Sequence, residues 1–170
     1  FDTTLISGPT KLKINDDINL INVETAEEMF QATLKSLPVD VAIFSAAVGD
    51  YKVKEKSEIK IKKKDKLNLK LEKNVDILNY VSNHNSLRPK LVIGFAAETN
   101  NLENHAKNKL NEKNCDWIVA NDISNKRIGF NSDYNEVSIF YKSDKIDKLK
   151  YKPKSEISDE LVDKIINHLC

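Results

Sequence analysis

Three continuous apolar runs, separated by segments with helical periodicity, constrain the fold of this chain more than any other feature. They are Val39–Ala46, Leu91–Phe95 and 116–120 (DWIVA). An uninterrupted apolar run is typical of a strand that is covered on both faces of a sheet. Buried strands that alternate with amphipathic helices predict an α/β fold with a mostly parallel sheet. Sheets of this kind bind their ligands beyond the carboxyl ends of the strands.

The remaining elements follow from helix caps and residue patterns. Thr25 and Glu28 form a capping-box signature for a helix that Pro38 ends. We also predict strands at Thr3–Ser7, Ile18–Val23 and Val137–Tyr141, the last at a sheet edge. Further helices are predicted at about Val75 to Asn83 with an Asn74 cap, at about Asn101 to Lys113, and after a Ser158 cap. The fold class is therefore α/β, a Rossmann-like three-layer sandwich in one domain of residues 1–170.

A lysine-rich flap or hairpin over residues 50–72 interrupts this alternation. Eight of its lysines stand between positions 52 and 66, at positions 52, 54, 56, 60, 62, 63, 64 and 66. Glu58–Lys62 and Lys66–Glu72 both alternate, so they can pair around residues 63–65. Ile59 and Ile61 would then anchor one side and leave Lys60, Lys62 and Lys63 on the other. Those lysines either neutralise a polyphosphate or form an ordinary solvated face.

Overall composition excludes several function classes. The chain carries 27 Lys and Arg against 26 Asp and Glu, a net charge of +1, so no global field attracts nucleic acid or a membrane. No apolar run reaches the roughly 20 residues that a membrane-spanning helix needs. Cys115 and Cys170 lack the spacing of a disulfide framework or a zinc site. The chain opens without a starting Met or a basic leader, so we expect a cytoplasmic protein and a piece of a longer one.

Several residues near the predicted strand ends are candidates for ligand binding, each with a structural alternative. Asp50 either orients a ligand or holds a metal, or else it is a turn or cap residue. Lys109 and Lys113 share one helical face and either reach phosphates or complement the helix dipole. Phe95 either stacks on a base or belongs to the core, and Cys115 is expected to be a core or surface thiol.

The glycines support a nucleotide at this edge, although the usual fingerprints are missing. Gly8, Gly49, Gly94 and Gly129 all lie at or after predicted strand ends. The sequence contains neither GxGxxG nor a Walker A loop, which counts against an NAD-dependent oxidoreductase or a P-loop enzyme. A nucleotide-binding sheet normally begins with a strand and a glycine-rich loop, so the chain is expected to begin at a second strand.

Seven motifs in order give the chain a specific resemblance. They are SGPT, AAVGDY, KIKK, NVDIL, GFAAETNN, DWIVANDIS and GFNSDYN. Together they resemble the bacterial phosphopantothenate–cysteine ligase domain, usually the C-terminal half of a bifunctional coenzyme A biosynthesis protein, over nearly all of residues 3–169. The resemblance implies a CTP-dependent ligase that joins 4′-phosphopantothenate to cysteine through an acyl-cytidylate.

The resemblance also implies roles for individual residues. Lys60 would be the catalytic flap lysine over the reaction centre. Val75, Asp76, Ile77 and Leu78 would recognise cytosine through backbone groups and shape, although the family more often has Pro at the first of these positions. The other CTP-binding residues would be Phe44, Ser45, Ala46, Asp50, Phe95, Lys109 and Lys113.

The same resemblance implies Mg²⁺ as a cofactor, without indicating its ligands, and a homodimer. It further implies fusion to, or association with, a flavin-dependent phosphopantothenoylcysteine decarboxylase. The family's glycine-rich segment and Asn-containing loop precede SGPT and are not in this sequence, so we expect an N-terminally truncated domain with weak or no turnover. The alternative function is a nucleotide-binding or dimerisation fragment without activity of its own.

Overall fold

The computed structural model describes residues 1–12, 14, 17–55, 57, 59–62, 67–124 and 132–170. Within these residues strands and helices are interspersed along the chain, which confirms the predicted α/β class. In chain order they are β1 (Thr4–Ser7), β2 (Asn19–Asn22), α1 (Ala26–Ser36), β3 (Val41–Phe44), β4 (Tyr51–Val53), β5 (Leu71–Lys73), α2 (Ile77–Ser82), β6 (Leu91–Glu98), α3 (Leu102–Lys113), β7 (Trp117–Asp122), β8 (Tyr134–Tyr141), β9 (Ile146–Pro153) and α4 (Lys154–Leu169).

A five-stranded sheet in the order β3-β6-β7-β8-β9 forms the centre of the fold. The strands β3, β6 and β7 are parallel, and β8 is antiparallel to both of its neighbours. Four of the five strands therefore run in one direction, which confirms the mostly parallel sheet. β1 and β2 form a separate parallel pair, and β4 and β5 form an antiparallel pair.

Apolar residues cover both faces of the central sheet. On one face, Ile157, Leu161 and Ile165 of α4 pack against a cluster that includes the fully buried Leu91 and Ile93. On the other face, helices α2 and α3 contribute Leu78, Ala106 and Leu110 to a second cluster. Helices on both faces of one sheet make the three-layer α/β sandwich that the sequence predicts.

Helix α1 begins where its capping box predicts. The Thr25 hydroxyl accepts the N–H of Glu28 at 3.1 Å, and the Glu28 carboxylate accepts the N–H of Thr25 at 3.2 Å. Phe30 on this helix is buried against Ile77 and Val81 of α2. The N-terminus of α2 is thereby fixed from the α1 side as well as from the sheet.

The predicted flap hairpin pairs at other residues than expected. Pairing joins β4 to β5, with Tyr51 opposite Lys73 and Val53 opposite Leu71. Ile59 and Ile61 lie outside any strand and their side chains are 82% and 52% exposed, so the anchored face predicted for them is wrong. A pattern of alternation makes a strand only where a partner strand supplies hydrogen bonds. The predicted turn at 63–65 lies outside the described residues.

Two predicted helix caps are wrong. Asp76, not Asn74, caps α2, because the Asn74 side chain donates to the Gly49 carbonyl instead. The last helix begins at Lys154, so Ser158 lies inside it, where its hydroxyl donates to the carbonyls of Lys154 and Ser155. Such bonds inside a helix are an ordinary alternative to capping for serine.

Two predictions about the sheet also need correction. Val137–Tyr141 is not an edge strand, because β8 pairs on one side with β7 and on the other with β9, which the sequence did not reveal. The run 39–46 is not covered on both faces throughout, since Ile43 is 48% exposed on the outermost strand β3. Among the described residues, no helix is both long enough and apolar enough to cross a membrane.

Candidate functional site

The carboxyl ends of β3 and β6 lie side by side and form the base of the candidate site. Phe44 pairs in register with Gly94, and β6 continues for four more residues to Glu98. Phe44 is half-buried against α2, whereas Ser45 and Ala46 are exposed just beyond the strand end. The two small residues therefore leave the backbone open to a ligand at this edge.

The loop that carries Asp50 is tied to the segment before α2. The Asn74 side chain donates to the Gly49 carbonyl at 2.7 Å, and the Asn74 N–H donates to the Asp50 carbonyl at 2.9 Å. Strand β4 begins one residue after Asp50, and strand β5 ends one residue before Asn74. The base of the flap is thus held at the candidate site, with the exposed Asp50 carboxylate beside it.

Lys113 at the end of α3 pairs with the residue that caps α2. Its Nζ lies 2.6 Å from Oδ2 of Asp76, while Oδ1 of the same carboxylate accepts the N–H of Asn79 at 2.8 Å. Partial burial opposes ionisation of Asp76, but these two hydrogen bonds and the charges of Lys113 and Lys109 outweigh it and lower its pKa. The hydrogen bond to Asp76 raises the pKa of Lys113, with a smaller contribution from the Asp50 charge. Asp50, Asp76, Lys109 and Lys113 therefore form one electrostatic cluster.

Lys109 lies one helical turn before Lys113 and contacts the sheet. Its ammonium group donates to the carbonyl oxygen of Phe95 at 2.9 Å in a half-buried position. The half-buried Phe95 side chain packs toward the opposite face, against the cluster that contains α4. Lys109 thus brings a positive charge to the carboxyl half of β6, whereas the Phe95 ring belongs partly to the core.

The four residues predicted to recognise cytosine divide into two groups. Val75 and Asp76 are exposed, but Ile77 and Leu78 are only 6% and 8% exposed, and their side chains belong to the core. Leu78 packs close to Gly94, where an added Cβ would lie 2.6 Å from Leu78 Cδ2. A ligand at the start of α2 would therefore meet the side chains of Val75 and Asp76 and the backbone of the other two.

Lys60 is not joined to this cluster in the described part of the chain. Its side chain is exposed, and among the described residues it makes neither a hydrogen bond nor an ion pair with another candidate. Lys52, in the middle of β4, is different, since its Nζ lies 3.6 Å from Glu27 of α1 and 3.8 Å from Glu72 of β5. These ion pairs join the base of the flap to α1, whereas the Lys60 side chain is exposed.

Glu98 and His105 form a pair near the end of β6 that was not predicted from the sequence. Oε2 of Glu98, the last residue of β6, lies 2.9 Å from Nδ1 of His105 on α3. His105, Lys109 and Lys113 are each four residues apart and so share one face of α3. That spacing is visible in the sequence, but the carboxylate partner of His105 is not.

Other predicted features of the site have different outcomes. Gly94 lies inside β6 rather than at its end, and its role is close packing against Leu78 and Ile118, not ligand approach. Gly129 lies outside the described residues. Cys115 is buried, and desolvation raises the pKa of its thiol to about 11, which confirms a core thiol.

Comparison with known proteins gives a consistent result. Residues 1–169 match the model of the DNA/pantothenate metabolism flavoprotein C-terminal domain family. A coenzyme A biosynthesis bifunctional protein CoaBC from Haemophilus influenzae is 44% identical over 167 residues, which cover 97% of this chain and 41% of that protein. The Escherichia coli K12 protein of the same name is 39% identical over 171 residues, with the same two coverages. The chain thus spans about two fifths of the length of these curated relatives.

Solved structures resemble the whole of the chain. The crystal structure of the C-terminal domain of a coenzyme A biosynthesis bifunctional protein CoaBC has a TM-score of 0.80 and 34% identity, and the match covers 99% of this chain and 74% of that one. A Cab2 H337A variant in complex with phosphopantothenate-cysteine has a TM-score of 0.59 over 90% of this chain and 55% of its own, at 16% identity. The second match shows a common fold alone.

Proposed function

Because the chain belongs to the DNA/pantothenate metabolism flavoprotein C-terminal domain family, we propose that it is the phosphopantothenate–cysteine ligase domain of a coenzyme A biosynthesis protein. In this proposal it joins 4′-phosphopantothenate to cysteine at the expense of CTP, through an acyl-cytidylate. The domain comprises residues 1–170 with the flap at 50–72. The name of its 44% identical relative supports the activity, and the geometry of the edge beyond β3 and β6 supports the location.

The single observation that carries the location is the stripe of cations on α3. Lys109 and Lys113 reach from the helix to the Phe95 carbonyl and to the α2 cap. Phe95 lies in the carboxyl half of β6, and parallel α/β folds bind ligands beyond the carboxyl ends of their strands. A nucleoside triphosphate in transfer needs positive charge around its phosphates, and preorganised charges stabilise the transition state most effectively.

The chemistry of the proposed reaction explains why a nucleotide is needed. A carboxylate is a poor acyl donor until one of its oxygens becomes part of a good leaving group. Attack of the 4′-phosphopantothenate carboxylate on the α-phosphate of CTP releases pyrophosphate and supplies that leaving group. The cysteine amine then attacks the acyl carbon, the amide forms, and CMP departs.

Each candidate residue has a defined role in this proposal. Lys109 and Lys113 bind the phosphates of CTP, and Asp50 contacts the nucleotide beside them. Phe44, Ser45 and Ala46 line the cytidine pocket, and the half-buried Phe95 contacts the nucleotide with the part of its ring that the α4 cluster leaves uncovered. The backbone of 75–78 recognises cytosine, with Val75 and Asp76 adding their side chains. Lys60 is the flap lysine that stabilises charge at the reaction centre when the flap covers it.

Magnesium enters this proposal with the triphosphate. Within the described ranges, no three His, Cys, Asp or Glu side chains are placed to hold a metal ion. Mg²⁺ retains several waters and commonly binds substrate phosphates with only one or two carboxylates. When bound with CTP it would neutralise phosphate charge, while Lys109 and Lys113 orient the nucleotide. We therefore treat it as part of the Mg·CTP substrate.

We extend the proposal to the assembly as well. The protein forms a homodimer, acts in the cytoplasm, and is fused to or associated with a flavin-dependent phosphopantothenoylcysteine decarboxylase. The relatives are called bifunctional and are longer than this chain, which supports a second activity nearby.

Pyrophosphate release tests the ligase directly. The complete product of the gene is mixed with Mg·CTP, 4′-phosphopantothenate and cysteine, and pyrophosphate and the amide product are measured separately. We expect one pyrophosphate for each amide formed, and pyrophosphate only when 4′-phosphopantothenate is present. Absence of pyrophosphate from a folded preparation would exclude the ligase.

The second candidate function, a nucleotide-binding or dimerisation module without its own chemistry, rests on the same cationic stripe. It predicts that CTP raises the melting temperature although no pyrophosphate forms. If CTP leaves the melting temperature of the complete gene product unchanged, this candidate is also excluded.

A further inference from the structure

Helix α3 carries three partly exposed basic side chains that each contact a residue outside the helix, and only two of them have a role above. Lys113 contacts the α2 cap, Lys109 contacts the Phe95 carbonyl, and His105 contacts Glu98. The three positions are four residues apart, so they lie in one line along the helix. The line runs from the start of α2 to the end of β6. His105 therefore continues the cationic stripe at its far end.

The Glu98–His105 pair is positioned close to the proposed phosphate site. His105 is one helical turn from Lys109, a rise of about 5.4 Å along the axis. Glu98 is three residues beyond Phe95 on the same strand, or about 10 Å. A ligand that contacts Lys109 with its phosphates thus has its adjoining groups within the reach of His105.

The pair has the form of an oriented general base. Nδ1 of His105 lies 2.9 Å from the Glu98 carboxylate. In a neutral imidazole, a carboxylate at this distance favours the hydrogen on Nδ1, so that Nε2 is the acceptor. The two side chains are 25% and 43% exposed, so the histidine is open to a small ligand while the carboxylate behind it is more enclosed. A carboxylate that orients an imidazole in this way is a recurrent arrangement for proton abstraction.

The proposed ligation contains a step that needs such a base. The α-amine of cysteine is largely protonated near neutral pH, because free α-amino groups have a pKa of roughly 7.7–8.0 or above. An ammonium group has no lone pair and cannot attack an acyl carbon. The first half of the reaction has no such requirement, since a carboxylate attacks the α-phosphate directly.

We propose that His105 is the general base that deprotonates the cysteine amine in the second half-reaction, with Glu98 as its positioning residue. This inference rests on the proposed ligase function and adds to it a residue for the amide-forming step. Nε2 of His105 takes a proton from the ammonium group, and the freed amine attacks the acyl carbon of the acyl-cytidylate. The C–N bond forms as the bond between the acyl carbon and the phosphate oxygen breaks, and CMP leaves with that electron pair.

Two protons leave the nitrogen in this step. His105 takes the first before attack, and the departing CMP phosphate or solvent takes the second as the amide forms. His105 then returns its proton to solvent, and no oxidant or reductant takes part. A purely mechanical role, in which the pair only joins the start of α3 to the end of β6, predicts a different kinetic result from a catalytic role.

The catalytic and mechanical roles can be distinguished by measuring the two half-reactions of the complete gene product separately. The protein is first mixed with Mg·CTP and 4′-phosphopantothenate, and the release of one equivalent of pyrophosphate is followed. Cysteine is then added, and the rate of CMP and amide formation is measured. The variant is His105→Gln, whose amide can still donate to Glu98 but cannot accept a proton at neutral pH. Asn108→Ala, an exposed position on the same helix, is the control.

We expect His105→Gln to release pyrophosphate at the wild-type rate and to slow the cysteine-dependent step by about 100-fold, the usual effect of losing a general base. Glu98→Gln should slow the same step by less. Hydroxylamine, an amine that is already unprotonated at neutral pH, should react equally fast with the variant and the wild type. The control should match the wild type in both steps.

Three other results would each overturn the inference. Equal slowing of both half-reactions would assign His105 a mechanical role, and so would loss of the hydroxylamine reaction. Normal amide formation by His105→Gln would remove it from the reaction altogether. Failure of the proposed function has a separate signature, because the wild-type protein would then release no pyrophosphate before any variant is compared.

Discussion

The ammonium group of Lys113 lies 2.6 Å from Oδ2 of Asp76, and Oδ1 of the same carboxylate caps α2. One carboxylate thus serves the cation of one helix and the N-terminus of another. Two elements that border the proposed nucleotide site are fixed relative to each other by a single side chain. Because the two oxygens have different partners, substitutions of Asp76 can distinguish the stability that comes from the cap from the stability that comes from the ion pair.

Substitution of Asp76 tests this double role. Asp76→Ala removes the cap and the ion pair and should lower the free energy of unfolding by about 1 kcal/mol, mostly from the cap. Asp76→Asn keeps an oxygen for the Asn79 N–H and should cost less, because a partly exposed ion pair contributes only about 0–1 kcal/mol. Urea unfolding of the three proteins provides the comparison. Equal losses for both variants would assign the stability to the charge instead.

Lys109 should matter for nucleotide binding more than another lysine of the same helix. Loss of a hydrogen bond to a charged group costs about 1.5–3 kcal/mol, so Lys109→Gln should weaken CTP binding by about 10- to 100-fold. Lys107 pairs with Glu103 at 2.7 Å on the helix surface and serves as the control. Lys107→Gln should change the Kd by less than about twofold. Isothermal calorimetry with CTP would show whether the two variants differ.

Lys60 should affect the rate of pyrophosphate release more than the affinity for CTP. Its side chain is exposed and, within the described part of the chain, has no hydrogen bond or ion pair to the cluster, so in our proposal it meets the α-phosphate only when the flap closes. Lys60→Gln should slow pyrophosphate release by about 100-fold while the Kd for CTP changes by less than about threefold. Lys62→Gln is the matched flap control. If rate and affinity fall by the same factor in Lys60→Gln, the residue is a simple phosphate anchor.

Gly94 should be intolerant of even one added carbon. Its Cβ would lie 2.6 Å from Leu78 Cδ2 and 2.9 Å from Ile118 Cδ1, between α2 and the sheet. Gly94→Ala should therefore lower the free energy of unfolding by about 1–3 kcal/mol. Gly8→Ala is the control, because among the described residues, apart from its two chain neighbours, no atom lies within 4 Å of its Cβ position. Adding Leu78→Ala to Gly94→Ala should recover part of the loss, and strictly additive losses would contradict the steric explanation.

Asp147 should make stability depend on acid pH. Hydrogen bonds from Lys164 at 2.7 Å and Tyr141 at 2.9 Å, with Lys145 at 3.2 Å, lower its pKa to about 2 from 3.8. A carboxyl group whose pKa is lower in the folded state than in the unfolded state stabilises the fold at pH values above its unfolded-state pKa. That contribution is lost as pH falls from 3.8 toward 2. The difference between wild type and Asp147→Asn should shrink by about 1–2 kcal/mol over this window, after screening by solvent. Urea unfolding across the window measures it, and a constant difference would contradict the assignment.

Residue pattern alone was sufficient for the elements whose burial follows from their own sequence. The apolar runs predicted at 39–46, 91–95 and 116–120 correspond to the parallel strands β3, β6 and β7, and the capping box at Thr25 and Glu28 begins α1 as predicted. The same pattern failed at Ile59 and Ile61, because alternation indicates a strand only if another strand is available to pair with it. It also missed β9, whose mixture of charged and apolar residues becomes a strand through its pairing with β8.

The sequence by itself determined the fold class, the family and the face of α3 that carries Lys109 and Lys113. Those properties depend on periodicity and on local motifs, which are written in the order of residues. Only the tertiary structure decided what that face touches: the Asp76 cap, the Phe95 carbonyl and the Glu98 carboxylate. Glu98 and His105 lie on different elements, joined through a turn at the left-handed Asn101, so their contact depends on how α3 folds back onto β6. The packing of α3 against β6, and not the periodicity of the sequence, therefore determines which residues of the two elements are in contact.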